Sequence, residues 1–411
     1  MASTNQTTFD PALKQIYRDA NLQKLTYTNR PLFGLLPKFE GFGGRNMPVV
    51  LQYGNPQGRS ATFATAQSNA TQVYVHDFVV TRVNNYAVST IDGEVVESTR
   101  GDSYAFLSAL KLKLDSTMAS LADDVETNLF RNNAGSMAQF SSGTAANPMV
   151  VTLTQTEEIT AFEVGMVIVA DDTAAGTSNR TTPASITIAA VDRTNGTFTT
   201  GYDNSSTTTD WAANDYLFVS GDVGAKISGL EDWLPSSVTS TAFFGVDRTV
   251  DSRLAGIYHD ASSQTLEDGV IDAQSKASRE GGMPDCLFLH HAQVRRLIKE
   301  LGAKKEYTET QAVGPKGMLA NVGYRSLVIQ GDHGPIGVVA ANKCQATKGW
   351  MLQKSTWTLA TLGTPVKFLM EDGNRILRQS AADGYEVRMG FRGQLCCKAP
   401  IWNVHINLPN P

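Results

Sequence analysis

The chain lacks any apolar run approaching the roughly 18 residues a membrane span requires. Its amino-terminal Met-Ala-Ser-Thr-Asn-Gln carries neither a basic segment nor a hydrophobic stretch. Both absences predict a protein that stays in the cytosol and crosses no membrane. Cysteine is scarce: Cys286, Cys344, Cys396 and Cys397 are the four in 411 residues, and none has C-x-x-C spacing. Adjacent cysteines make a poor disulfide and a poor zinc site, so buried free thiols are expected. Catalytic signatures are missing as well. There is no G-x-x-x-x-G-K-[ST], no H-E-x-x-H and no G-x-S-x-G, and Gly41, Gly43 and Gly44 do not complete G-x-G-x-x-G. His290-His291 has no partner histidine at helical spacing, and Asp332-His333 between two glycines reads as a turn. No catalytic, cofactor-binding or metal-ligating residue emerges. Positive charge is not in surplus either: the net charge is −5 and no basic run is interleaved with aromatics, which argues against a dedicated nucleic-acid binder.

What is present begins with 41% hydrophobic residues in a chain longer than one typical core, so two or three domains are expected. Tyr104, Leu107, Leu110, Leu114, Met118, Leu121, Val125 and Leu129 recur at intervals of three and four. That spacing predicts a helix from Asp102 to Arg131 with one apolar stripe, about 45 Å long at about 1.5 Å per residue. Lys113, Ser116, Ser120, Asp123, Asp124 and Thr127 fall largely off the stripe. Before the helix, Met47–Gly54 and Gln72–Ile91 are rich in Val, Tyr, Phe and Thr, while Asn55-Pro56, Gly58 and Ser68-Asn69 between them are turn-like. Two long strands with a loose tip are predicted. Such a ribbon is marginally stable alone, so it must lie on a neighbouring copy or on its own domain.

Residues 1–46 read as an arm, with a short helix over Pro11–Ala20 and breaks at Pro31, Pro37 and Gly41-Phe42-Gly43-Gly44. Between Gly143 and Gly221 there are 17 Thr, nine acidic residues, two basic ones (Arg180 and Arg193) and no Lys. This segment carries −7 against a total of −5, leaving +2 elsewhere, and its short β-rich runs predict a separate small barrel or sandwich projecting into solvent. From Lys226 onward mixed α and β returns. Helices are predicted from Thr265 to about Arg279 and over Ala292–Leu301, with strands at Cys286–His290 and near Tyr324–Ile329, Gly337–Ala340, Trp357–Leu362 and Tyr385–Phe391. Leu395–Trp402 reads as a final strand.

Five stretches carry a family resemblance: Thr8-Phe9-Asp10-Pro11-Ala12-Leu13, Tyr53-Gly54-Asn55-Pro56-Gln57-Gly58-Arg59-Ser60-Ala61, Phe162-Glu163-Val164-Gly165-Met166, Phe244-Gly245-Val246-Asp247-Arg248 and Ala382-Asp383-Gly384-Tyr385-Glu386-Val387-Arg388. With the order of parts, they make the chain resemble tailed-bacteriophage major capsid proteins from about Phe9 to Leu408. The resemblance implies an α+β, Hong Kong 97-like capsid fold. Its parts would be an N-terminal arm (1–46), an extended loop (47–92), a spine helix and peripheral domain (93–142), an inserted all-β domain (143–225), and an axial domain with returning peripheral strands (226–411). It further implies a non-enzymatic protein whose hexamers and pentamers close an icosahedral shell in a virion, assembled in the host bacterial cytoplasm. The implied partners are other copies of the chain, a portal protein, and separate scaffolding and decoration proteins where these are used. Double-stranded DNA would be contained rather than read, with no cofactor and no membrane.

Arg59, Phe63, Arg82 and Tyr86 are the candidate intersubunit contacts, because Arg and aromatics dominate interface energetics. For Arg59 and Phe63 the alternative is a solvated tip. Two other functions compete: a bacterial nanocompartment (encapsulin-like) shell, and a β-rich hydrolase whose site is assembled from distant residues. Some family members lock their shells by an isopeptide bond from a lysine in the extended loop, yet Met47–Ile91 contains no Lys. Assembled protein is therefore expected to run as single chains on reducing denaturing gels, and a ladder of covalent multimers would contradict this.

Overall fold

The computed structural model describes residues 30–92, 103–143, 147–204, 209–300, 327–331, 334–370, 373, 376–379 and 383–411, with residues 103–112 described by backbone alone. The predicted helix over Pro11–Ala20 and the Asp332-His333 turn lie outside these residues.

The long helix, Ser103–Phe130, begins and ends within a residue of the predicted span. Its stripe does two jobs. Leu114, Met118 and Leu121 pack with Ala87, Val387 and Met389 on a sheet, and Val125 and Leu129 enter the main core. The other side departs from the expectation, since Glu126, Thr127 and Asn128 are buried too. The last two turns are covered all round because the segment after residue 30, the main core and a β-barrel converge there.

A sheet of six strands is organised by Gly384–Cys397, which is 14 residues long. On one edge it pairs antiparallel with Val83–Asp92, from Gly384 opposite Asp92 to Gly393 opposite Val83. Trp357–Thr361, Lys367–Phe368 and Leu377–Arg378 line its other edge, and Lys38–Phe39 lies parallel beyond Trp357–Thr361. This corrects the expected single strand over Gln72–Ile91. Tyr74–Thr81 stays with Asn46–Gly54 in a two-stranded ribbon, and the chain changes sheets at Arg82. Residues on both sides of Arg82 have strand-forming side chains, so only the distant partner separates the two strands.

The second sheet has the order Ile257–Asp260, Val404–Asn407, Lys348–Leu352, Cys286–Leu289, Gly334–Ala340, Leu327–Gly331. Helices Leu266–Arg279 and His291–Glu300 cover it through Leu266, Val270, Ala273, Ala277 and Leu297. Thr265 caps the first of them, its Oγ1 accepting the Asp268 N–H at 3.2 Å. The expected final strand over Leu395–Trp402 is also corrected. Leu395–Cys397 ends the long strand, Pro400 opens a 3-10 turn because it has no N–H to give a ladder, and the last strand is Val404–Asn407. The four cysteines are buried and unbridged.

Between the two passes of the main chain, six strands close a barrel in the order Tyr216–Val219, Ser136–Gly143, Val150–Leu153, Thr197–Thr200, Ile186–Asp192, Val167–Asp171. Phe140, Phe162, Phe198, Trp211 and Leu217 fill it. The first strand precedes the Thr-rich composition, so the barrel starts earlier than composition alone indicates.

The main core gathers Phe78, Phe130, Trp233, Phe288, Trp357 and Phe391 from every part except the barrel. Its buried indoles at Trp233 and Trp357 are satisfied: Trp233 Nε1 donates to Leu395 O at 3.0 Å and Trp357 Nε1 to Asn403 Oδ1 at 2.8 Å. Gly229 lets the chain cross the end of the long helix. A Cβ there would stand 2.3 Å from Arg131 O, 2.4 Å from Asn128 O and 2.5 Å from Leu129 O. Backbone cannot step aside as a side chain can, so Gly229→Ala should destabilise the chain by about 1–3 kcal/mol in denaturant unfolding; a neutral result would refute this tight crossing.

Candidate assembly surfaces

The ribbon has two halves with different surroundings. At its base, Val49, Phe78 and Val80 are buried in the main core, where Phe78 lies 5.2 Å from Trp233, ring centre to ring centre. Farther out, Tyr53 stacks on His76 at 5.3 Å, while Val50, Val73, Tyr74 and Val75 are exposed. The hairpin thus packs on its own domain as far as Tyr53, which lies against the main core and whose O accepts from Arg253 Nη1 at 2.8 Å, while Val50, Val73, Tyr74 and Val75 keep exposed side chains. The tip is tied to itself, with Gln57 N donating to Thr71 Oγ1 at 2.7 Å and Thr71 N to Gln57 O at 2.8 Å. It carries a short helix, Phe63–Ser68, none of whose residues is buried.

The four candidate contacts occupy three different settings. Arg59 and Phe63 share the tip; Arg59 is exposed and donates to Gln57 Oε1 at 3.3 Å, and Phe63 is 85% exposed. Arg82 is half-buried and engaged within its own chain. Its Nη1 donates to Phe42 O at 2.6 Å, and its guanidinium lies 5.5 Å from the centre of the Phe42 ring. It fixes the angle at which the ribbon leaves the sheet. Tyr86 is on the sheet strand rather than the ribbon, opposite Gly390, and shares its exposed face with Val88 and Arg388. Sequence reading missed Val50, Val73, Tyr74 and Val75; the last three are consecutive and exposed on both faces, so alternation carries no signal for them.

Where the described chain begins, residues 30–36 are fastened to the long helix. Glu126, fully buried, accepts the N–H groups of Leu32 at 3.0 Å and Phe33 at 2.6 Å. Arg30 Nε pairs with Asp123 Oδ1 at 2.7 Å and its Nη2 donates to Ala119 O at 3.0 Å. Burial raises the Glu126 pKa to about 7, against the pull of the Phe33 and Leu32 N–H groups and of Arg30. Burial likewise raises Asp232 to about 6.

His290, at a strand end, accepts the Ala292 N–H through Nδ1 at 3.2 Å and so starts the following helix. Burial, with His291 adding to it, lowers its pKa to about 4 and keeps it a neutral acceptor. Among the described residues no group of three His, Cys, Asp or Glu could hold a metal ion, and no helix is long and apolar enough to cross a membrane.

No family model matches the chain, and no curated protein matches it in sequence. Its shape does match solved structures. The capsid asymmetric unit of cyanophage A-1(L) aligns with a TM-score of 0.61 at 10% identity, over 98% of this chain and 99% of that one. The capsid of an empty GTA particle aligns at 0.51 and 8% identity, over 99% and 100%. The SrpI encapsulin complex from Synechococcus elongatus aligns at 0.46 and 7% identity, over 99% and 96%. The first two are capsid chains, and this chain shares their fold over nearly its whole length. The chain has a phage major-capsid-protein-like fold.

The raised pKa of Glu126 has a definite sign. Between the ordinary carboxylate value of 4.5 and about 7 the folded chain holds a proton that the unfolded chain has lost, so stability falls as pH rises through that window. Glu126→Gln should remove a part of this slope, on the order of 1–3 kcal/mol between pH 5 and pH 8 in denaturant unfolding. An unchanged slope would show that the carboxyl titrates as an exposed one does.

Proposed function

We propose that this chain is the major capsid protein of a tailed double-stranded-DNA bacteriophage, built on the Hong Kong 97-like plan. Hexamers and pentamers of it form an icosahedral shell, and the ribbon acts as the extended loop lying across a neighbouring copy. The observation that carries the reading is the outer half of the ribbon. Phe63, Val50, Val73, Tyr74 and Val75 are exposed there on a two-stranded element too slight to stand alone in water. A partner surface is the economical cover, and a fold shared with a cyanophage capsid chain supplies a context in which many copies provide it.

In this reading residues 1–46 are the arm, 47–92 the extended loop, 93–142 the spine helix and peripheral domain, 143–225 the insert on the outer surface, and 226–411 the axial domain with returning strands. The portal and any scaffolding or decoration proteins are partners of the assembled shell, and the genome is enclosed without sequence recognition. A nanocompartment shell is the second reading, distinguished by what is enclosed.

Electron microscopy of the protein expressed with its neighbouring genes should show closed particles with six- and five-fold capsomers. Burying Phe63 on a neighbour is worth about 1.5–3 kcal/mol, so Phe63→Ser should weaken each contact about ten- to hundredfold and cut particle yield without lowering the melting temperature of the unassembled chain. Nuclease-protected DNA in the particles supports the capsid reading and enclosed enzyme supports the nanocompartment. A monodisperse monomer would overturn both.

A further inference from the structure

The barrel's attachment to the rest of the chain is unlike any other packing surface among the described residues. Its interior, built on Phe140, Phe162, Phe198 and Trp211, shares no residue with the main core. Two connectors, residues 131–136 and 219–226, run side by side, with Gly224 N donating to Ala134 O at 3.0 Å and Lys226 N to Asn133 O at 3.2 Å. Both connectors turn on glycines in the left-handed region: Gly135 at φ +83, Gly221 at +88 and Gly224 at +68.

What holds the barrel is polar. Lys226, almost fully buried, pairs with Asp124 of the long helix at 2.9 Å and with Asp222 of the connector at 2.8 Å, and donates to Asn85 Oδ1 of the sheet at 3.3 Å. On the far side Lys343 Nζ donates to Thr160 O at 2.7 Å, and Thr160 Oγ1 to Asn342 O at 3.0 Å. Two cavities of about 240 Å³ each lie along the seam. One is lined by Ala119 and Asp123 of the helix, by Met137, Ala161 and Met166 of the barrel, and by Lys343, so a few apolar side chains share the seam with the ion pairs. The other is bounded by Arg131, Gln139, Glu158, Glu231, Gln345 and Lys348. Arg131 Nε, Gln345 Oε1 and Asn342 Oδ1 are buried along this seam with no hydrogen-bond partner among the described residues.

We propose that the barrel is a rigid body hinged at its two glycine-bearing connectors, and that the ion-pair clamp centred on Lys226 sets its angle on the rest of the chain. An apolar seam would resist a change of angle, since each side chain withdrawn from its neighbours leaves a void. A polar seam with room on both sides exchanges one set of water-compatible partners for another, which is why domains joined by polar interfaces move relative to one another. Lys226 is the element that restricts this, because its ammonium joins connector, long helix and sheet at one atom. Replacing it leaves Asp124 and Asp222 facing each other half-buried, which drives the seam apart. The inference does not depend on shell assembly and is tested without it.

Nitroxide labels at Val164→Cys on the barrel and Ile271→Cys on helix Leu266–Arg279 occupy exposed positions. The four native thiols are buried and escape labelling. Pulsed electron–electron resonance on the full chain, diluted with unlabelled chain, should give one narrow distance. In Lys226→Met the distribution should widen about twofold or split, while a pair within the body, Val250→Cys with Ile271→Cys, stays as narrow as before. Lys343→Met serves the same test if Lys226→Met does not fold. Distributions as narrow in either variant as in the parent chain would overturn the hinge.

Discussion

A helix end buried on every side is the constraint to which the rest of the architecture answers. The last carbonyls of a helix have no partners within it, and in this chain water cannot reach them freely. The connectors to the barrel satisfy some of the backbone there, with Arg131 N donating to Asn128 O at 3.3 Å and the main chain of residues 132–135 matched by that of 222–226. Gly229 supplies the clearance for a second segment to pass, and Trp233, a turn later, seals the junction from the other side. Glu126 on the same turns holds the incoming segment by two backbone N–H groups. Residues 30–36, the ribbon base, the barrel and both sheets therefore take their positions from about two turns of helix.

Two kinds of attachment follow from that arrangement. The sheets meet the helix chiefly through interlocking apolar side chains such as Leu114, Met118 and Leu121 against Val387 and Met389, where a one-atom error is expensive. The barrel meets it mainly through lysines, carboxylates and amides, and the outer ribbon touches its own domain at Tyr53, whose O accepts from Arg253 Nη1 at 2.8 Å.

Much of the fold was legible locally. The three- and four-residue spacing of Leu114, Met118, Leu121, Val125 and Leu129 located the helix to within a residue, and Thr265 with Asp268 marked a real cap. Alternating β-rich runs with few basic residues marked a β unit. The misses share one cause, pairing between residues far apart in sequence. Nothing near Arg82 shows that Val83–Asp92 belongs beside Gly384–Cys397, so local pattern makes that strand the ribbon's continuation and places Tyr86 on it. The burial of Glu126, Thr127 and Asn128 was hidden because residues 30–36, whose Leu32 and Phe33 N–H groups Glu126 accepts, and the barrel cover the face that periodicity assigns to solvent. Of the candidate contacts, Phe63 and Arg59 stand on the tip as the turn signals suggested, whereas Arg82 is engaged by Phe42 and Gly44, again across a break no local pattern reveals.

The strand order has a consequence for how such a chain is made. Gly384–Cys397 is the organising strand of one sheet, and Val404–Asn407 sits between Ile257–Asp260 and Lys348–Leu352 in the other. Neither sheet can close until those residues leave the ribosome, while the barrel draws all six of its strands from Ser136 to Val219 and is complete much earlier. During synthesis the polypeptide passes through a stage in which a finished, acidic barrel hangs from an unfinished body. At that stage its ribbon lacks the surface on which its base must rest, because that surface is completed by the last strands to be made.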